Sequence, residues 1–340
     1  MAVITPHLAV AIMAADTETA LAQAAAVADR ATLVEYRLDG MTDFDLERLI
    51  AASPLPAIIT CRSRREGGHF AGSEAERRAL LHEAVTRGAA FVDAEATVLP
   101  ELAARPHPHT CLIGSRHDFA GMLGDWATTG RHLRAQGADI VKLAGMAGHP
   151  DDVLTPLAWL DRLDGPGIGI AMGEHGLATR LLAPRFPRAF LTFAAADEAT
   201  ATAPGQLSAT SLVADFGFWQ IATAAPLLIL LTPSPVPWDV VSAYRRLLTD
   251  RHAQAGTASR RPWLLPLPVA VLSPGLWLAC RLARAEAILC LPEVERRPEL
   301  AAYGVDPTVL AWQFPADRSS ATVRLCSRPE HLAEFVHDLL

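Results

Sequence analysis

Residues 138–145 read "ADIVKLAG", a short apolar run that holds Lys142, the single lysine of the 340-residue chain. Amphipathic stretches at 121–136 and 150–162 flank this run. A short apolar run between two helical patterns is typical of a strand in a parallel sheet that helices cover on both faces. The run therefore predicts one βα unit, and its repetition along the chain decides the fold.

The same unit repeats along the first two thirds of the chain. Seven further strand candidates lie at 8–13, 33–38, 57–62, 90–95, 111–116, 168–172 and 189–193. The other helix candidates are 17–30, 43–52, 73–87 and 206–222. Eight units in about 220 residues predict an α/β fold, a (β/α)8 TIM barrel. A doubly wound open sheet is the alternative, but that fold normally carries a glycine-rich phosphate motif, and neither G-x-G-x-x-G nor G-x-x-x-x-G-K-[ST] occurs.

Composition narrows the class of protein. The net charge is −7 and no basic stripe is present, so we expect no nucleic-acid partner. The five cysteines show no C-x-x-C spacing, and without a signal-peptide pattern they predict reduced thiols and a cytoplasmic location. His107 and His109 give only a weak indication of a metal, because the prolines beside them favour a solvated loop.

One uncharged stretch has the length of a membrane span. Residues 263–280 carry no charge, but Pro266, Pro268 and Pro274 interrupt them. The stretch predicts a buried strand, a turn and a helix, and we expect no membrane partner.

Polar side chains gather where the strand candidates end. They are Glu35, Arg37, Arg62, Glu66, Glu95, His117, Asp118, Lys142 and Arg180. Charges at strand ends are often merely solvated, but the loops after the strands build the active site of a (β/α)8 barrel. Arg stays protonated at ordinary pH, whereas a desolvated Lys is able to lose its proton and attack a carbonyl. Lys142 is therefore the candidate nucleophile.

Seven segments of the sequence, taken in order along the chain, resemble type I 3-dehydroquinate dehydratases. They are "VEYRLDG" (34–40), "IITCRSRREGGHF" (58–70), "FVDAEA" (91–96), "GSRHDF" (114–119), "ADIVKLAG" (138–145), "IAMGEHGLATR" (170–180) and "APGQL" (203–207). The resemblance covers about residues 8–222. It implies a lyase of the shikimate pathway of aromatic amino acid biosynthesis that converts 3-dehydroquinate to 3-dehydroshikimate through a Schiff base on a lysine, with no metal or cofactor.

The resemblance also implies residue roles. Lys142 would form the imine, His117 would move protons, and Glu66 would hold His117. The substrate-binding side chains would be Glu35, Arg37, Arg62, Arg180, Thr202 and Gln206. Thr179 and Thr202 stand where the family pattern leads us to expect serines, which implies a changed fit with the hydroxyl retained.

The extent of the resemblance sets the predicted domain boundaries. Residues 1–224 are predicted to form the barrel, and 225–340 a small α/β domain whose role stays open, with an interaction or ligand-sensing domain preferred. Its strand candidates are 227–232, 269–272, 287–291, 308–314 and 321–327, and its helix candidates are 238–253, 275–286 and 329–340.

Two other functions stay open: a different Schiff-base barrel such as an aldolase, and a non-catalytic sensor of a shikimate-pathway ligand. A homodimer is also left open.

Overall fold

A computed structural model describes residues 6–104, 106, 108–223, 227–255, 262–285, 287–291, 294–303, 311–313 and 322–323. Contacts divide the chain into two compact units. The first contains Met1–Gly148 and Thr155–Asp215, and the second contains His149–Leu154 and Phe216–Leu340. This division falls before the predicted boundary at 224/225, which stays a prediction about where an independently folding barrel ends.

Eight parallel strands form the first unit. They are β1 (His7–Ile12), β2 (Leu33–Arg37), β3 (Ala57–Thr60), β4 (Phe91–Glu95), β5 (Cys111–Asp118), β6 (Ile140–Met146), β7 (Gly167–Met172) and β8 (Leu191–Ala195). Each pairs with its neighbour from β1 to β7, and β1 also pairs with β8. A bridge between Gly167 and Ala189 brings β7 against the entry to β8. The predicted (β/α)8 barrel is confirmed.

Helices alternate with these strands. They are α1 (Thr17–Val27), α2 (Leu46–Ala51), α3 (Glu74–Thr86), α4 (Leu99–Ala103), α5 (Trp126–Ala135), α6 (Leu154–Asp161) and α7 (Leu177–Leu182). Side-chain caps explain several starts: Ser73 and Glu76 form a reciprocal capping box at the start of α3, and Asp125 accepts from the backbone of Thr128 at the start of α5. Neither α4 nor α7 was predicted, because five or six residues are too few to show a helical period.

The predicted helix over 206–222 is wrong as one element. The chain forms a π-helical turn at Ser211–Asp215 and then the six-residue α8 (Phe218–Thr223). Gly217 separates the two, with a φ of 75° that a helix does not permit. An apolar helical pattern on both sides of a single glycine concealed this break.

The interior of the barrel is built in layers. Side chains two residues apart on a strand point the same way, so each strand places alternate residues inside. A lower layer is apolar: Leu33, Ile58, Phe91, Ile113, Ile140, Ile168 and Leu191. The residues two positions later on these strands are Glu35, Thr60, Asp93, Ser115, Lys142, Ile170 and Phe193. An apolar floor thus supports a mainly polar layer nearer the carboxyl ends of the strands.

The second unit is α/β, as predicted. After α8 it contains β9 (Leu227–Thr232), α9 (Trp238–Ala255), β10 (Trp263–Pro268), β11 (Val271–Leu272), α10 (Pro274–Leu282), β12 (Ala287–Cys290), β13 (Glu295–Arg296), β14 (Ala311–Gln313) and β15 (Thr322–Val323). One sheet has the order β10-β9-β12-β14-β15, in which the first three strands are parallel, and β11 pairs with β13. The strand and the helix predicted over 263–280 are present as β10 and α10, but the strand candidate 269–272 is wrong in its bounds, since only Val271–Leu272 of it is strand. The predicted helix at 329–340 lies outside the described residues.

No helix in the described ranges is long and apolar enough to cross a membrane.

Candidate active site

A cavity of about 440 Å³ opens among the strands of the barrel. Every residue assigned a role from the sequence lines it: Lys142, His117, Glu66, Glu35, Arg37, Arg62, Arg180, Thr202 and Gln206. Apolar side chains, His69 and Phe119 complete the lining. The structure thus brings together groups that lie up to 171 positions apart, from Glu35 to Gln206 (206 − 35).

Lys142 lies deep in this cavity. It is the third residue of β6, not in the last turn of the strand as predicted, and its side chain is only 6% exposed. Its Nζ donates to Asp93 Oδ2 at 2.8 Å and lies 3.5 Å from Glu35 Oε1. The ring of Phe193 lies 4.2 Å from the same nitrogen. Both charged groups that pair with this amine are therefore carboxylates.

Asp93 is the site residue that sequence reasoning missed. One carboxylate contacts Lys142, Arg62 at 2.8 Å and the hydroxyl of Ser115 at 2.5 Å. Burial alone would raise the pKa of Asp93, but Arg62 and Lys142 hold it well below the ordinary range. A signal was present in "FVDAEA", where Asp93 shares an inward face with Glu95 inside an apolar strand.

His117 and Glu66 form a buried pair. Glu66 Oε2 accepts from the backbone of His117 at 2.8 Å and lies 3.0 Å from its Nδ1. Burial, reinforced by Arg62 and Lys142, lowers the pKa of His117 well below its ordinary value, so the ring is neutral near pH 7. Because an ionised Glu66 only accepts, we assign the proton to Nδ1, which leaves Nε2 as a base. His117 lies within β5, not after it as predicted.

Glu66 is a buried carboxylate. This burial raises its pKa despite the nearby guanidinium of Arg62. Its second oxygen, Oε1, accepts from Arg116 Nη1 at 2.9 Å. Glu66 therefore joins the imidazole inside the cavity to an arginine on its other side.

Among the described residues, no carboxylate pairs with the buried guanidinium of Arg180. Its side chain is 2% exposed, its Nη1 donates only a long bond of 3.4 Å to the carbonyl of Phe193, and its Nε has no acceptor. This burial lowers the pKa of Arg180 to about 10. Since a buried guanidinium is costly unless paired, the geometry suits an anionic ligand that enters the cavity.

The other two arginines are already paired. Arg37 makes a bidentate pair with Asp39, with both bonds at 2.8 Å. Arg62 bonds Glu95 at 3.0 Å in addition to Asp93 and Ser115. Both still line the cavity, so they add positive charge there while holding fixed positions.

The two threonines have different places. Thr202 donates through its backbone and its hydroxyl to Gln206 Oε1, at 2.8 and 3.1 Å, and both residues line the cavity. Thr179 lies outside the cavity lining, and its hydroxyl donates to the carbonyl of Gly176 at 2.8 Å. A methyl group at 179 therefore alters packing behind the site, whereas one at 202 lies at the cavity itself.

Metal ligation finds no support in the described part of the chain, where no group of three or more His, Cys, Asp or Glu side chains is placed to hold an ion. His107 lies outside the described residues.

Comparison with known proteins agrees with this geometry. The fold and the cavity define a (β/α)8-barrel protein whose side chains suit imine chemistry at a lysine. The profile of type I 3-dehydroquinase matches residues 8–221, and the chain belongs to that family.

Individual relatives show how far the likeness extends. A bifunctional 3-dehydroquinate dehydratase/shikimate dehydrogenase of Arabidopsis thaliana is 36% identical over 202 residues, which span 56% of this chain but only 33% of that protein. A solved 3-dehydroquinate dehydratase from Geobacillus kaustophilus is 29% identical and covers 65% of this chain and 92% of its own, with a TM-score of 0.57. A solved dehydroquinate dehydratase and shikimate dehydrogenase from S. pombe covers 91% of this chain and 62% of its own, with a TM-score of 0.53 and 21% identity, which shows a shared fold alone.

Proposed function

We propose that this protein dehydrates 3-dehydroquinate to 3-dehydroshikimate through an imine on Lys142. The observation that carries the proposal is one cavity that combines a primary amine, a neutral imidazole and an unpaired buried guanidinium. Membership of the type I 3-dehydroquinase family and the name of the Geobacillus relative support the same reaction.

Substrate binding begins at Arg180. The substrate carries a carboxylate, and a planar guanidinium is able to bind it through two parallel hydrogen bonds. Gln206 adds a donor, because Thr202 fixes its amide oxygen and leaves the nitrogen to face the ligand. Glu35, Arg37 and Arg62, which also line the cavity, hold the ring hydroxyls.

Imine formation then joins Lys142 to the substrate ketone with loss of water. The resulting iminium nitrogen is positive, and Asp93 and Glu35 already lie against that nitrogen to stabilise it. The cation withdraws electrons from the neighbouring carbon, so a base of ordinary strength is able to remove its proton.

His117 performs that proton transfer. Its neutral ring takes the proton from carbon and gives one to the departing hydroxyl, which leaves as water and completes the carbon–carbon double bond. Hydrolysis of the imine returns Lys142 to its amine. Glu66 holds the ring in the required tautomer throughout.

The test uses borohydride, which reduces an imine to a stable amine. With substrate present, peptide mapping should place the adduct at residue 142, since this is the only lysine. Lys142→Arg should abolish both labelling and turnover, although it keeps the charge. His117→Ala should still be labelled but turn over about 10²–10⁴-fold more slowly. Labelling of Lys142→Arg, or turnover of simple aldehydes in place of 3-dehydroquinate, would reject the proposal.

We also propose a cytoplasmic location with a small-molecule substrate and no nucleic-acid partner. Free thiols at Cys61, Cys111 and Cys280 support a reducing compartment. A homodimer stays a prediction for light scattering to test.

A further inference from the structure

A second cavity of about 470 Å³ lies on the far side of Glu66. Its charged lining consists of Arg64, Arg65, Arg77, Arg78, Arg116, Glu66, Glu74 and Glu95. Five guanidinium groups therefore face three carboxylates, which leaves an excess of two positive charges in the lining (5 − 3 = 2). The proposed dehydration uses none of these arginines.

Three of the arginines are engaged by carboxylates. Arg77 bonds Glu74 and Glu95, each at 2.7 Å, and is only 2% exposed. Arg78 pairs with Glu74 and Glu101, and Arg116 pairs with Glu66. These pairs neutralise most of the charge on this part of the lining.

The excess charge belongs to Arg64 and Arg65. Both are exposed and sit on the turn that follows β3. Arg64 Nε donates to the carbonyl of Phe70 at 2.8 Å, and no ion pair among the described residues involves Arg64 or Arg65. Two uncompensated guanidiniums beside one cavity suit a phosphate dianion, which matches both their charge and their planar donor geometry.

We propose that this second cavity binds a small molecule that carries a phosphate group. The volume resembles that of the active-site cavity, so it has room for an organic group beside the phosphate. The half-buried ring of Phe70 supplies an apolar surface for that group.

Binding of a ligand in the second cavity should affect the active site through Glu66. Glu66 lines both cavities, with Oε1 on Arg116 and Oε2 on His117. A phosphate that competes for Arg116 would free one oxygen of Glu66 and loosen its hold on His117. Phosphate should therefore lower kcat more than it changes KM, and this part rests on the proposed dehydratase activity.

The binding test is calorimetric and independent of turnover. Inorganic phosphate is titrated into the full chain at constant ionic strength, balanced with chloride because salt screens exposed charges. The double variant Arg64→Gln/Arg65→Gln should bind about tenfold more weakly, since both uncompensated charges are lost and exposed charge pairs are each worth little. Arg131→Gln, which removes one positive charge from the surface of α5, should bind like the wild type.

One further variant separates the two cavities. Arg180→Gln should keep phosphate affinity, because Arg180 lies in the other cavity. Wild-type affinity in the double variant, or loss of binding in Arg180→Gln, would overturn the proposed site. For the coupling, phosphate should lower kcat for 3-dehydroquinate in the wild type but not in the double variant, and an unaffected wild type would overturn it. Absent turnover in every protein would refute the proposed function while the calorimetry still decides on the site.

Discussion

At the scale of single residues, the buried carboxylate of Asp93 fixes two side chains that line the cavity, Lys142 and Arg62. Lys142, Arg62 and Ser115 all bond it inside the barrel, where no part of its side chain is exposed. Removing one member of a buried ionic group leaves its partners uncompensated, which is usually more costly than the pair is worth. Asp93 should therefore affect stability as well as catalysis.

Asp93→Asn should lower the free energy of unfolding by about 3–5 kcal/mol at pH 7. The folded-state pKa of Asp93 is depressed, so its contribution is complete above the unfolded pKa of about 3.9 and declines as pH falls toward the folded value. Urea titrations at pH 7, 4 and 3 should show the difference from the wild type shrinking in acid. Asp29→Asn, at an exposed position, is the control and should change little. A difference that grows in acid would contradict the assignment.

Arg180 makes a different prediction, because its burial is already costly before a ligand binds. Arg180→Gln should raise KM about 10- to 150-fold, the equivalent of roughly 1.5–3 kcal/mol for a lost charged hydrogen bond, and leave kcat nearly unchanged. Thermal unfolding should not become easier, since an unpaired buried guanidinium is removed. Steady-state kinetics and calorimetry measure both effects, with Arg131→Gln as the charge-matched control. A fall in kcat without a change in KM would mean that Arg180 acts on the transition state.

At the scale of elements, the turn after β3 places Glu66. It runs through Arg64–Glu66 and ends at Gly67, whose φ of 80° favours glycine. A Cβ at Gly67 would lie 2.3 Å from the ring of Phe119, so the turn and the β5–α5 loop are closely fitted. The position of the turn therefore controls the Glu66–His117 pair.

Gly67→Ala should reduce kcat because either the turn that carries Glu66 or the ring of Phe119 has to shift, and both line the cavity. Gly88→Ala is the matched control: its φ of 75° imposes the same backbone strain, but no atom lies within 4 Å of the added carbon. Both variants should lose about 1–2 kcal/mol of stability from the left-handed backbone, and only Gly67→Ala should lose turnover. Equal kinetics in the two variants would show that the fit to Phe119 is irrelevant.

The predicted elements succeeded where burial on both faces leaves a clear pattern. All eight barrel strands were found, because a continuous apolar run between two helical patterns is typical of a buried parallel strand. The depth of a residue along the barrel axis was harder to predict. Alternation gives the inward face, but the stagger between strands decides the depth, so Lys142 lies lower than expected. The break at Gly217 was missed because a local pattern carries no tertiary constraint.

At the scale of the whole molecule, the residues of the candidate site were predicted from separate sequence motifs, and they all line one cavity. What the sequence could not supply was the ion-pair chain from Arg77 through Glu95 and Arg62 to Asp93. Each link depends on the register between neighbouring strands and on a helix that packs behind them. The role of the second unit also stays open, because its α/β fold alone does not define a function.

Residues 1–224 should form a folded dehydratase without the rest of the chain. All eight strands and the whole cavity lining lie at or before Gln206, so the cut removes none of the proposed chemistry. Against this, Phe216, Phe218 and Ile221 are buried as part of the second unit, and the fragment keeps them without most of their neighbours. We therefore expect turnover close to that of the full chain, with lower solubility than a 1–215 fragment that lacks this apolar segment. Circular dichroism shows whether each fragment is folded, an absorbance assay for the enone product measures turnover, and the protein left in solution after centrifugation measures solubility. A folded 1–224 fragment that binds 3-dehydroquinate without dehydrating it would show that the second unit is needed for catalysis itself.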